Sequence, residues 1–434
     1  MSTLDSLIGF PWHEVFRRAY IKRRSTSTGK YEADWIEITK YVKSWGGFQS
    51  SVDAIRLNRF THSGLALRVR NDTGAFNPET DANSLWAGSL TRYRTLVRID
   101  AGYKDEAGTE LPATAVQGIY IMSEEVPRSG KTNEVLLSCR SLVSVFDEVI
   151  SDEVAGLGAT LTAADIIGRI RDHTDGSSNF VFREFITSTA WTVQATTNNY
   201  NLATTTSELE NMSVWELMTK LAECEGFVLL INRTGGVEFR NRDARTTTAA
   251  FAFYGQGFRW QNVISLDESK DAFDKYYNRF RLKWRDEDTS TSYVQAGTVT
   301  SVDPSNTAWK VGSRLYKFEN EFFLSASSAQ TIVNNLLSTF SDVKEEVKVT
   351  AFFTPHLEVL DRVTLSYHSY SLTDLNSIWD VMDWASDAAT DLNDGGNWAG
   401  ESGENFDYND KEFKVLAKST NLDNFTTMFT LRAV

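Results

Sequence analysis

The chain has 434 residues, 41% hydrophobic and 12% aromatic, with 26 Gly and only 6 Pro. That length exceeds what one core organises, so two to four domains is the natural division, and 24% charge with a mean hydropathy of -0.32 excludes a disordered chain. A net charge of -14 disfavours gripping nucleic acid, which is held through lysine and arginine, but suits a chain that lets DNA pass.

Residues 1–30 read as a basic N-terminal arm. Arg17, Arg18, Lys22, Arg23, Arg24 and Lys30 cluster there, opposed nearby by Glu14. Two readings stay open: an arm that docks on an acidic neighbour, or an edge strand whose cations block aggregation. From Trp35 to Phe146 strand candidates alternate with turns. Leu65, Leu67 and Val69 alternate with small or charged residues, and Val97, Ile99, Ala101 and Tyr103 share one face. A period of two is the mark of a half-buried strand. Val116–Ile121 and Val135–Arg140 continue the series, while Asp72-Thr73-Gly74 and Lys104–Thr109 supply turns. Such strands within residues 31–150 predict a small antiparallel barrel or sandwich.

Residues 151–250 change character. Thr162 and Asp165 predict a helix start, with Leu161 packing on Ile166 and with Ile166, Ile167 and Ile170 buried. Ser213 and Glu216 predict a second capping box, and Met212 faces Leu217. Leu217, Met218, Leu221 and Ala222 line one side, and Gly226 ends the helix. A hairpin follows, Phe227–Asn232 and Val237–Arg240 around a turn at Arg233–Gly236. The Ser/Thr-rich residues 187–207 read as a surface loop.

Strands return from Phe251. Over 325–340, Ala329, Ile332, Val333, Leu336, Leu337 and Phe340 fall at helical spacing. Val347, Val349, Ala351 and Phe353 then alternate, Leu357–Leu365 and Glu412–Val434 add strands, and a terminal hairpin turns at Asn421–Asn424. Residues 374–410 hold ten acidic residues and no Lys or Arg, together with Trp379, Trp384 and Trp398. They read as an insertion between two strands, and two readings stay open: a surface facing a basic partner, or a solvated loop anchored on its own barrel by the tryptophans.

Chemistry-bearing patterns are incomplete. His13, His62, His173, His356 and His368 have no metal-ligand spacing, and His13-Glu14 lacks the second His of a zinc-protease helix because Arg17 stands there. Ser129-Gly130-Lys131-Thr132 copies the end of a phosphate loop, but Glu125 occupies the position that needs Gly, so it reads as a hairpin turn. Asp391–Asn397 is calcium-like in composition, yet Gly395 and Ser402 replace required oxygen ligands. A non-standard cation site and a solvated loop both stay open. Nothing selects a glycosidase carboxylate pair. No catalytic, cofactor-binding or metal residue is therefore assigned. Cys139 and Cys224 read as buried free thiols. No apolar run reaches the roughly 18 residues of a membrane span. Met1–Phe10 lacks a signal-peptide pattern, so a soluble chain made in a cytoplasm is expected.

The ordered segments ITKYVKSWG, LRVRNDTGAFNPE, SLWAG, RYRTLVRIDAGY, QGIYIMSEE and VLLSCRSLVSVFDE resemble the first barrel of tail-tip (baseplate) hub proteins of long-tailed bacteriophages. SVWELMTKLAECEGFVLLINRTGGVEFRN resembles the small α/β domain of that family. NVISLDESKDAFDKYYNRFRLKW and the closing KEFKVLAKSTNLDNFTTMFTLRAV resemble its second barrel. The resemblance covers most of residues 31–434; the arm and the acidic insertion match least. It implies a β-rich fold with two barrel-like tail-hub domains, 31–150 and 251–434, and a small α/β domain, 151–250. It implies a structural virion protein of the tail tip, not an enzyme, and a homotrimer. In that family two barrels per chain build a pseudo-sixfold ring, which joins the sixfold tail tube to threefold tip parts and surrounds the DNA exit channel. The implied partners are the distal tail protein, the tape-measure protein and a tip or fibre protein. Two rivals are a carbohydrate-binding or carbohydrate-cleaving tail component, using the Trp and acidic residues of 379–408, and a distal tail ring protein.

Overall fold

A computed structural model describes residues 8, 14–53, 60–77, 79–112, 115–123, 133–157, 160–175, 180–202, 209–241, 248–255, 261–271, 275–285, 291–296, 312–322, 325–340, 343–367 and 408–434. Among the described residues strands make up 46% and helices 17%, so the fold is β-rich, as expected.

The first ten strands are β1 (Glu14–Lys22), β2 (Ile36–Glu37), β3 (Val42–Ser44), β4 (Gly47–Val52), β5 (Phe60–His62), β6 (Leu65–Arg70), β7 (Leu96–Lys104), β8 (Glu110–Leu111), β9 (Val116–Met122) and β10 (Glu134–Ser141). Eight of them form the first sheet, in the order β2-β1-β7-β9-β10-β6-β3, with β8 on β7. The alternation read in the sequence sets its two faces: Ala19, Ile21, Leu65, Leu67, Val69, Val97, Ile99 and Leu137 are buried in one core. The run 36–44 pairs with β1 at its start (Ile21↔Ile36) and with β6 at its end (Val42↔Val69). One short stretch thus reaches both ends of the sheet and curls it into a barrel-like form.

Two expectations need correction here. Residues 14–22 are not part of a projecting arm, nor an edge strand: β1 lies between β2 and β7 and pairs with β7 from Glu14↔Lys104 to Lys22↔Leu96. The cations of β1 and of the two residues after it are matched within the chain. Arg18 pairs with Glu110, Arg23 with Glu32 at 3.0 Å and Arg24 with Glu184 at 3.3 Å. Lys22 Nζ stands 5.6 Å from the Trp35 ring. Strand pairing brings carboxylates from distant sequence to a cluster that looks uncompensated when read locally. Second, β4 and β5, within the expected first barrel of 31–150, belong to the other large sheet.

The middle of the chain builds the α/β unit: the helix Val143–Asp147, β11 (Thr160–Thr162), the helix Ala163–Arg171, β12 (Trp191–Val193), β13 (Asn199–Asn201), the helix Val214–Glu225, β14 (Phe227–Ile231) and β15 (Val237–Asn241). Thr162 and Asp165 form the expected capping box. Ser213 accepts from the Glu216 backbone N–H, which is half of the second expected box, and Gly226 ends that helix in the left-handed region at φ 66°. β14 and β15 pair as the expected hairpin.

The chain then makes β16 (Phe251–Tyr254) and β17 (Val263–Asp271), followed by β18 (Arg279–Arg285), β19 (Thr291–Ala296), β20 (Leu315–Glu319) and the helix Ala326–Phe340. The last four elements lie inside the region read as the second barrel, 251–434, but join the α/β core. Phe280, Leu282, Ala329, Val333 and Phe340 share one cluster with Ile167, Leu217, Leu221 and Leu229. Lys220 pairs with Glu321, and Asn320 Nδ2 donates to Lys220 O and to Glu223, each at 3.0 Å. The apolar stripe of helix 326–340 is legible in the sequence; the surface that covers it is not.

The second large sheet runs β16-β22-β23-β24-β21-β17, where β21 is Glu345–Phe352, β22 Arg362–Tyr367, β23 Tyr408–Asn421 and β24 Thr426–Ala433. β4 adds to β23, and β5 to β4. The ends of this sheet meet at Asn262, which is 6% exposed. Its N–H donates to Tyr254 O at 2.9 Å, its Oδ1 accepts from Tyr254 N at 2.7 Å, and its Nδ2 donates to Ala252 O at 2.8 Å. A side-chain amide here completes a backbone ladder. The acidic insertion, 374–410, lies outside the described residues except for 408–410, which begin β23.

Asn262→Ala removes two of these bonds and takes the side-chain acceptor from the half-buried Tyr254 N–H. The expected cost is about 1–3 kcal/mol, read as a lower urea midpoint at unchanged m-value; a midpoint equal to the parent's would show that the seam closes without this amide.

Candidate functional site: the junction of the sheets

The two large sheets are joined by the chain itself. After β3, Gly46 takes φ 61°, where a Cβ would stand 2.6 Å from Ala66 O; at Gly47 it would stand 3.1 Å from Thr420 O. Glycine is required at 46 for the turn, and at 47 it allows the close approach without a shift of Thr420. From Gly47 the strand pairs with β23, from Gly47↔Asn421 to Ser51↔Ala417, and after β5 the chain returns to the first sheet at Leu65.

Asp423, in the β23–β24 turn, is the polar centre of this crossing. Its carboxylate accepts from Ser44 Oγ at 3.0 Å and from Trp45 N at 3.1 Å, and lies 3.6 Å from the Arg17 guanidinium. Arg17 sits between the rings of Trp45, at 5.1 Å, and Phe425, at 5.2 Å, and donates to Leu422 O. Burial lowers the Arg17 pKa more than Asp423 raises it, yet a guanidinium stays charged in proteins. Tyr103 Oη donates to Phe353 O across the same boundary, and burial pushes that phenol up, keeping it a neutral donor.

The α/β unit meets both sheets nearby. Arg233, in the β14–β15 turn, donates to Pro355 O at 2.6 Å and lies 3.2 Å from Glu358. A Cβ at Gly235 would stand 3.2 Å from Ile119 and 3.3 Å from Leu142, so the turn lies against β9 and the end of β10. Lys418 Nζ donates to Thr354 O at 3.2 Å and Leu357 O at 2.8 Å. His62 on β5 sits between Tyr120 Oη and Ser141 Oγ, each at 3.3 Å.

These groups bind one part of the chain to another, and the arrangement is suited to holding three modules at fixed angles. Among the described residues no group of three or more His, Cys, Asp or Glu could hold a metal. His13, His368, Ser129–Thr132 and Asp391–Asn397 lie outside the described residues. Cys139 and Cys224 are buried and free, as expected. Burial pushes the Cys139 thiol up to about 12 and raises Cys224 well above its ordinary value, so neither is a ready nucleophile. Sequence reading missed Arg17, Asp423 and His62 as junction residues; the pair Gly46-Gly47 was the one local sign of a crossing.

No family model matches the sequence, and no curated protein matches it either. Solved structures do. The tail protein from Neisseria meningitidis MC58 matches at 10% identity and TM-score 0.50, over 96% of each chain. The 43 kDa tail protein of prophage MuSo2 from Shewanella oneidensis matches at 12% identity and TM-score 0.47, over 96% of this chain and 98% of that one. The prophage tail protein gp18 from Listeria monocytogenes EGD-e matches at 11% and 0.46, over 96% and 94%. At such identities the likeness is one of fold, and the first of these carries it: the described residues have the fold of a phage tail protein.

Asp423→Ala strips Ser44 and the Trp45 N–H of their acceptor and is expected to cost about 1–2 kcal/mol. Arg17→Ala in the same background should cost less than it does alone, with a coupling of at least about 0.5 kcal/mol in a double-mutant cycle. Strict additivity would mean that the two residues do not work as a unit.

Proposed function

We propose that this chain is a structural component of a phage tail tip, the hub that joins the sixfold tail tube to threefold tip parts around the DNA exit channel. The observation that carries this reading is the pair of curled sheets locked together by β4 and the Asp423 centre. A subunit with two such bodies at a fixed angle can supply six positions from three copies, and closed rings are the usual outcome for repeated subunits. The fold likeness to a phage tail protein supports the tail assignment. We further infer two barrel-like tail-hub domains, with strands exchanged between them, and a small α/β domain beside them.

The homotrimer, the distal tail protein, tape-measure protein and tip or fibre protein as neighbours, and a place in the virion after synthesis in the host cytoplasm belong to this reading. So does a non-enzymatic role without cofactor or metal. A net charge of -14 suits a channel that DNA crosses without being gripped. Among the described residues no helix is long and apolar enough to cross a membrane.

Native mass spectrometry of the assembled tail tip should find three copies. Six copies would replace this reading with the distal tail ring. Peptidoglycan and glycan substrates should survive incubation with the pure chain; turnover abolished by one carboxylate-to-amide change would replace it with the carbohydrate-cleaving rival.

A further inference from the structure

The loop 353–361, between β21 and β22, is gripped from several sides. Lys418 of β23 holds the carbonyls of Thr354 and Leu357, and Arg233 of the α/β unit holds that of Pro355. Between these cations stands His356, whose ring lies 5.2 Å from that of Phe251 in a T arrangement. His62 lies at the same crossing. It is carried by the hairpin that extends the second sheet, yet its ring nitrogens meet hydroxyls of β9 and β10 in the first.

We propose that these two histidines make the junction an acid-sensitive clasp: protonating them parts the first sheet and the α/β unit from the second sheet and frays β5, β9 and the loop 353–361, which carry the contacts, before the inner strands β21 and β24 open. The proposal does not depend on which particle the chain builds.

A neutral imidazole satisfies both hydroxyls at His62, since Tyr120 Oη and Ser141 Oγ each donate or accept as the tautomer requires. An imidazolium carries two donors and a charge out of water, which burial opposes. The titratable groups facing it are Tyr120 on β9, with the Cys139 thiol beside that phenol, and Glu358 on the loop. Among the described residues Glu358 favours the charge, and Arg233 already engages it. At His356 the facing groups are Lys418 and Arg233, so a proton there creates a third positive charge. Those two cations belong to different modules, so the repulsion acts between modules.

Burial, opposed by Glu358, holds His62 down to about 4; burial, then Lys418 and Arg233, hold His356 down to about 3. Both lie below the ordinary 6.5 of the exposed ring, so the opened form binds more protons. The clasp is at full strength above pH 6.5 and weakens as pH falls toward 4 and then 3.

Hydrogen exchange of the full chain from pH 7 to 4, corrected for the intrinsic rate, tests this. Segments 60–62, 116–122 and 354–361 should lose about tenfold or more of their protection before 345–352 and 426–433 lose any. The His62→Gln, His356→Gln variant, which cannot take up these protons, should delay that loss by about one pH unit or more. Loss at one common pH in all five segments, or an undelayed variant, overturns the proposal. If the variant does not fold, NMR titration of the wild-type imidazoles decides: midpoints below 5 for both sustain it, and either one near 6.5 overturns it.

Discussion

The backbone ladder between Gly47–Ser51 and Ala417–Asn421 is the bond on which the arrangement rests. A ladder is directional, and a slip of one residue would turn every side chain of β4 to the opposite face. Phe48 and Val52 are buried by this pairing, and a slip would expose them. The ladder therefore sets the rotation of one sheet against the other as well as their proximity. Asp423 then fixes the crossing point, because its two oxygens receive Ser44, Trp45 and Arg17 from the first sheet.

Charge pairing along the outer side of the first sheet plays a different part. Glu14 meets Lys104 at 2.6 Å, Arg18 meets Glu110, and Arg98 lies 3.0 Å from Asp100. The Arg98 guanidinium also stands 4.4 Å from the Tyr20 ring and 4.9 Å from that of Trp35. Partly exposed pairs contribute little individually, so this row does not hold the barrel together. It occupies cations that would otherwise attract acidic chains, and it marks the register of β1 on β7.

A run of six cations beside Glu14 reads equally as a docking arm or as an edge strand, because local sequence shows charge and not its partner. Helix 326–340 was found from its apolar stripe, but its place against helix 214–225 was not, since a stripe reports that a face is covered without naming the cover. Asn262 gave no sign at all: an asparagine before a strand is an ordinary turn residue, and only the meeting of β16 with β17 gives its amide two backbone partners.

Local physics decided what could be read directly. The two-residue alternation of β6 and β7, the Thr162–Asp165 box, the glycine at 226 and the β14–β15 turn depend on residues within a few positions of one another, so the sequence determines them alone. The β-rich class follows from the same signals. Tertiary structure decided the rest. That β4 leaves its neighbours for β23, that Arg17 meets Asp423 and that His62 bridges two sheets are contacts across 370, 406 and 58–79 positions, by the numbering of their partners. Pairings of that span follow from which buried faces and open strand edges remain when all local elements have formed, a property of the whole chain that no single stretch contains.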